Sequence, residues 1–175
     1  RERLSRTTMN LDPDLKHQPP APPRKDYRIG AIGAGFIMRD VQLVAYGRAG
    51  YNVAAIAARR PEQAREVAHA RGIPQVYDDW RELVADRSLE VLDIAVPPHV
   101  QPEVLLEIAR NGRHLKGVLA HKPLAPNYRR AREVVEACTA AGLRLAGNQN
   151  MRYDQSIRAL KTVLDRGWLG EPVIA

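Results

Sequence analysis

Tyr27 to Phe36 reads YRIGAIGAGF: an apolar run that breaks on a glycine, an alanine and a second glycine just where helical periodicity takes over. A run of this kind is a strand buried on both faces. A strand that delivers Gly-x-Gly onto the start of a helix has the form of a dinucleotide-binding turn. The first glycine permits the bend, the second lets a diphosphate approach the backbone, and the unpaired N–H groups of the helix start face the anion. Gly33 and Gly35 fill the two glycine places, with Phe36 and Ile37 following at the helix start. The third small residue falls due at position 38, which is Met38, so the helix must pack on the strand more loosely or in a shifted position. The competing reading is an ordinary turn between strand and helix, and the βαβ context favours the nucleotide site.

Outward from this stretch the same alternation repeats. Ile37, Val41, Val44 and Ala45 are spaced as the apolar stripe of an amphipathic helix. A second strand, "NVAAIAA", leads to a helix opened by Pro61 and closed by Gly72. A short strand near Val76 precedes "DDWRELVAD", where Asp79 and Glu82 have capping-box spacing. "EVLDIAVPP" and "HLKGVLA" are the fourth and fifth strands, separated by a helix from Pro102 to Gly112. Asn127 caps a long helix ending at Gly142, "LRLAG" is the sixth strand, and a last helix spans about Asp154 to Arg166. Near-continuous apolar strands alternating with helices predict an α/β fold, a doubly wound parallel sheet of the Rossmann kind.

The bulk numbers narrow the function. With 175 residues, 45% of them hydrophobic, the chain is long enough for one domain with a sizeable core. We expect an arm-like or disordered Pro-rich tail over 1–25, a dinucleotide-binding domain over 26–150, and over 151–175 a linking helix with the first strand of a further domain. No apolar run approaches the ~20 residues of a membrane span, and no secretory signal is visible, so no membrane partner is expected and the assignment is cytoplasmic. Cys138 is the one cysteine, which leaves no disulfide framework or thiolate metal site; no metal is expected. The net charge of +7 is spread over mixed-sign helix faces and aromatics are 5% of the chain, so nucleic-acid binding is a minor alternative. A basic balance suits a phosphate-bearing small ligand.

The second strand should end in an acid that holds the adenosine ribose of NAD. It ends instead in Ala58, Arg59 and Arg60. A guanidinium pairs with a 2′-phosphate in bidentate fashion where a carboxylate would repel it, so NADP is favoured over NAD. Solvated arginines at a helix entrance are the alternative, which keeps NAD open.

The glycine loop, "AVPPHVQPEVL", "GVLAHKPLA", "NQNMRYD" and "RGWLGEPVIA", in this order, resemble the Gfo/Idh/MocA family of NAD(P)-dependent oxidoreductases. The resemblance covers about Tyr27 to Ala175. It implies that the segment His121, Lys122, Pro123 corresponds to the family's Glu-Lys-Pro motif. Lys122 is then the catalytic lysine beside the nicotinamide, hydrogen-bonded to the reacting substrate oxygen. Hydride leaving an alcohol carbon requires its hydroxyl to lose a proton, and an ammonium stabilises the developing alkoxide.

His121 departs from the family glutamate and removes a negative charge beside Lys122. It is either a proton relay or a residue making a structural hydrogen bond. The resemblance also places Pro97 and His99 along the nicotinamide ribose, with Gln101 or Pro102 where the family often has a histidine. Gln149 is chosen as an amide reaching cofactor or substrate. Tyr153 and Trp168 are read as packing residues.

The family's second domain forms the substrate wall and usually the oligomer interface, so a homo-oligomer is expected through a domain that this sequence only begins. The implied reaction is hydride transfer between NADP(H) or NAD(H) and a carbinol or carbonyl of a sugar, polyol or inositol. The alternative is a non-catalytic nucleotide-binding or regulatory module, motivated by His121 and the absent second domain.

Overall fold

A computed structural model of the chain describes residues 14–171 and 173. The far N-terminal arm, residues 1–13, and most of the strand expected in "GEPVIA" lie outside the described residues. Two compact units are present, one spanning Pro22–Asn148 and the other drawn from the two chain ends.

In the larger unit, six strands lie parallel in one sheet: β1 (Arg28–Ile32), β2 (Asn52–Ala57), β3 (Gln75–Tyr77), β4 (Val91–Ile94), β5 (Gly117–His121) and β6 (Leu145–Asn148). Their order is β3-β2-β1-β4-β5-β6, so the winding reverses between β1 and β4. Folds of this kind bind ligands outside the carboxyl ends of the strands at that reversal. Helices α1 (Leu43–Ala49), α2 (Pro61–Arg71), α3 (Trp80–Ala85), α4 (Gln101–Asn111) and α5 (Tyr128–Ala140) make the crossovers.

Local chemistry sets the helix ends. Pro61 stands in the first turn of α2, and Gly72 closes it in the left-handed region at φ 68°. Asn127 accepts from the Arg130 N–H at 3.0 Å. Asp79 accepts from the Arg81 N–H at 2.9 Å, while the Glu82 N–H bonds the Asp79 carbonyl. Two apolar clusters hold the sheet. One gathers Leu83, Leu92, Ile94, Leu105, Ile108 and Cys138, and the other gathers Ala31, Met38, Ile56 and Val67. Each fully buried Leu, Ile or Met contributes roughly 1.5–3 kcal/mol.

The start of the first helix departs from the expected stripe. Residues Ile37–Gln42 form a π-helical turn, in which the Leu43 N–H donates to the Met38 carbonyl five residues back, before α1 begins. The wider turn brings Met38 and Leu43 onto the buried face and leaves Ile37, Val41 and Ala45 exposed. Met38, too large for close packing of a regular helix on β1, is completely buried by this shift. Arg71 of α2 donates to the Arg39 carbonyl of the turn at 2.9 Å.

The smaller unit contains a 3-10 turn (Asn150–Tyr153) and helix α6 (Gln155–Asp165), capped by Asp154, which accepts from the Ser156 and Ile157 N–H groups. Arg158 donates to the Gln18 carbonyl at 3.2 Å and Arg166 to the Asp14 carbonyl at 3.1 Å, so part of the Pro-rich segment lies along this helix. Tyr153, expected to pack, is exposed, and Trp168 lies under the Arg166 guanidinium. Among the described residues no helix is long and apolar enough to cross a membrane.

Candidate active site

The glycine turn is fixed by the strands on both sides of it. The Gly33 N–H donates to the Ala57 carbonyl at 2.8 Å, and the Ala95 N–H donates to the Ile32 carbonyl at 2.9 Å. Gly33 has φ 113°, and a Cβ there would stand 2.3 Å from the Ala95 carbonyl oxygen. Only glycine fits. At Gly35 the situation is the opposite: a Cβ would meet nothing within 4 Å. Phe36 then opens the π turn with no side-chain cap, leaving the first N–H groups of the helix to an outside acceptor. An open cradle at Gly35 beside uncapped N–H groups fits the diphosphate of a dinucleotide. Phe36 and Ile37 are exposed beside it.

Arg59 and Arg60 are exposed at the end of β2, and among the described residues neither pairs with a carboxylate. Arg60 donates to Gln63 Oε1 at 3.0 Å, and Gln63 Nε2 donates to the Ala34 carbonyl at 3.1 Å. One amide therefore ties Arg60 to the glycine turn. Sequence reading missed Gln63, for which spacing gave no signal.

After β4 the chain turns through Pro97, Pro98 and His99, all exposed. The Pro97 carbonyl accepts from the Val100 and Gln101 N–H groups at 2.9 and 3.1 Å, which makes it the anchor of α4.

Lys122 leaves the carboxyl end of β5 with an exposed side chain, and the Lys122–Pro123 bond is cis. The turn that carries it is clamped from α4. Gln101 is buried, and its Nε2 lies 2.7 Å from the His121 carbonyl, 3.0 Å from that of Pro123 and 3.1 Å from that of Leu124. Two N–H groups shared among three carbonyls hold the backbone on both sides of the lysine. Gln101 was noticed in the sequence only as an occupant of a family histidine position, and this clamp was not foreseen.

Where the family motif has a glutamate, His121 lies against a buried acid of the neighbouring strand. His121 Nε2 lies 3.3 Å from Asp93 Oδ1, and Asp93, on β4, has no exposed surface. Tyr46 of α1 donates to Asp93 Oδ2 at 2.7 Å. Burial, reinforced by the Asp93 charge, pushes the Tyr46 phenol above its ordinary range and keeps it a donor. Gln42 and Asn148 bring their amides to 2.8 and 3.4 Å from the same ring nitrogen. One signal for Asp93 was in view: a lone acid inside the apolar run "VLDIAV". Gln149 begins the 3-10 turn of the smaller unit with its side chain exposed.

Comparison with known proteins gives these positions a context. Residues 27–149 match the Gfo/Idh/MocA oxidoreductase family, NAD-binding Rossmann fold. The inositol 2-dehydrogenase of Azotobacter vinelandii is 36% identical over 149 residues, which are 83% of this chain and 43% of that protein. The trans-1,2-dihydrobenzene-1,2-diol dehydrogenase of Oryctolagus cuniculus is 35% identical over 147 residues, 82% of this chain and 44% of that one.

Among solved structures, an NAD-binding oxidoreductase from Klebsiella pneumoniae superposes with a TM-score of 0.77 at 31% identity, over 85% of this chain and 41% of its own. A levoglucosan dehydrogenase in complex with NADH and levoglucosan gives 0.75 at 25% identity, over 83% and 41%. A 3-ketoreductase from Actinomadura kijaniata in complex with TDP-benzene and NADP gives 0.69 at 25%, over 81% and 44%. The chain thus spans less than half the length of the relatives it matches.

Proposed function

The chain belongs to the Gfo/Idh/MocA family of oxidoreductases, and from that premise we propose that it is the nucleotide-binding part of an NAD(P)-dependent dehydrogenase acting on a carbinol or carbonyl of a sugar, polyol or inositol. The observation that carries this reading is the Lys122 turn. A single exposed ammonium stands at the carboxyl end of β5, its backbone clamped on both sides by Gln101, in a sheet whose winding reverses at the glycine turn. The names of the relatives, an inositol, a dihydrodiol and a levoglucosan dehydrogenase, agree in substrate chemistry.

When bound, the nicotinamide accepts or gives up the hydride. The residues of this chain do the rest. Gly33, Gly35 and the N–H groups of Phe36 and Ile37 would hold the diphosphate, and the Pro97–His99 turn would serve as a contact for the nicotinamide half. In reduction Lys122 would give a proton to the oxygen on which negative charge grows as hydride reaches the carbonyl carbon, and in oxidation the hydroxyl proton would return to the Lys122 amine as the hydride leaves. A preorganised ammonium needs little rearrangement at that moment, which is the use of a clamped turn.

Arg59 and Arg60 favour NADP, because a 2′-phosphate offers two guanidinium groups an anion that the ribose of NAD lacks. Substrate selection and self-association belong in this reading to a further domain of the longer protein. A non-catalytic nucleotide-binding module remains the second reading, favoured by the histidine at position 121.

The test is the full-length protein incubated with NADP+ or NAD+ and a panel of inositols, sugars and acyclic polyols. Formation of reduced cofactor, faster with NADP+, is expected. Binding of either cofactor with no turnover on any member of the panel would favour the module.

A further inference from the structure

Beneath the Lys122 turn lies a polar cluster that cofactor binding does not use. Asp93 is wholly buried, and among the described residues Tyr46 supplies its only formed hydrogen bond, to Oδ2. Its Oδ1 is buried with no hydrogen-bond donor among the described residues, and the group that faces it is His121 Nε2 at 3.3 Å. An uncompensated carboxylate oxygen in such surroundings is costly, by roughly 1–3 kcal/mol or more.

The same ring nitrogen stands 2.8 Å from the Gln42 amide and 3.4 Å from the Asn148 amide. If Nε2 were bare, the Gln42 NH2 would be satisfied, but a buried carboxylate would face a lone pair. If Nε2 bears hydrogen, Asp93 faces a positive N–H, and Gln42 accepts through its oxygen after a half-turn of the amide that moves no other atom. The second arrangement satisfies Gln42 and turns the N–H dipole towards Asp93, whose Oδ1 lies 3.3 Å away off the hydrogen-bond axis.

We infer that His121 carries its hydrogen on Nε2, donated to the oxygen of Gln42 and facing the Asp93 carboxylate, and that Asp93 is a positioning residue acting on Lys122 through His121. The topology explains how. His121 is the last residue of β5, its ring set between Asp93 of β4 and Gln42 of the π turn and its carbonyl held by Gln101 of α4. Lys122 therefore departs from a residue fixed at both side chain and backbone. The negative charge that the Glu-Lys-Pro pattern places beside the lysine is supplied here from the neighbouring strand, with the imidazole between.

This inference rests on the dehydrogenase reading for its effect on turnover but not for the position of the proton. Nitrogen-15 NMR of the full-length protein, with the His121 signals identified by their loss in His121→Gln, should show Nε2 protonated. A bare Nε2 would overturn the inference. Asp93→Asn offers an NH2 in place of the carboxylate and should move the hydrogen to Nδ1.

In the same variant kcat should fall about 10- to 100-fold, the scale of a misplaced catalytic group, with KM and the cofactor Kd within about threefold. Tyr46→Phe, which strips Asp93 of its remaining donor, should lower kcat several-fold in the same pattern. Unchanged kcat in both variants beside an active wild type would overturn the positioning role and leave the dehydrogenase reading intact. A wild type inactive on every polyol would overturn the dehydrogenase reading and the positioning role together, while the NMR result still decides where the proton sits.

Discussion

Gln101 donates from one buried amide nitrogen to the His121 carbonyl at 2.7 Å, and the same nitrogen reaches the Pro123 carbonyl at 3.0 Å, so Lys122 is bracketed by a side chain from another helix. Leucine at position 101 keeps the volume and removes the donor. Gln101→Leu should destabilise the protein by about 1–3 kcal/mol in urea melts, the cost of leaving buried acceptors unmet. Gln101→Glu should be at least as harmful, because a carboxylate would face three carbonyl oxygens.

The two glycines of the turn should separate folding from binding. Gly33→Ala drives a methyl against the Ala95 carbonyl in a backbone conformation alanine avoids, and should cost about 2–4 kcal/mol of stability by thermal melt. Gly35→Ala meets no protein atom, and its stability should stay within about 0.5 kcal/mol of wild type. Its methyl fills the cradle, so NADPH affinity in a fluorescence titration should fall at least about tenfold, equivalent to ~1.4 kcal/mol.

The preference for NADP proposed above rests on Arg59 and Arg60. Replacing both by Ala should weaken NADPH binding about 10- to 100-fold and leave NADH within about threefold, by isothermal titration. Equal losses for the two cofactors would mean that the arginines do not read the 2′-phosphate.

Glu90 anchors the edge of the fold remote from this site. Lys116 Nζ lies 2.5 Å from its Oε1, while the Arg28 N–H and the Arg24 guanidinium each lie 3.2 Å from its Oε2. The Lys116 hydrogen bond above all lowers the Glu90 carboxyl to about 2. A group depressed on folding stabilises above its unfolded value and loses that contribution as pH falls towards its folded value. The stability gap between wild type and Glu90→Gln should therefore be constant near neutral pH and close between about 4.5 and about 2, as measured by denaturant midpoints.

Much of the fold was legible because strand and helix periods are local. All six strands and the helices after β2 lie where apolar runs, Pro61, Asn127 and the closing glycines put them. The start of the first helix was not, since the π turn answers a packing problem, the bulk of Met38 against β1, that spacing alone does not reveal. In the site, the glycine turn and the lysine could be found from their neighbours in the chain. Asp93 and His121 are 28 positions apart and meet only because β4 and β5 are adjacent in the sheet. Gln101 reads as any polar residue opening a helix until the turn it clamps is in place.

The central claim is that Lys122 does chemistry and is not needed to hold the cofactor. Its most direct test is Lys122→Ala in the full-length protein, with kcat and the NADPH Kd measured side by side. The structure predicts a loss of at least about 100-fold in kcat, the scale of a missing proton donor or oxyanion partner, with the Kd changed by less than about threefold. Turnover comparable to wild type would contradict it.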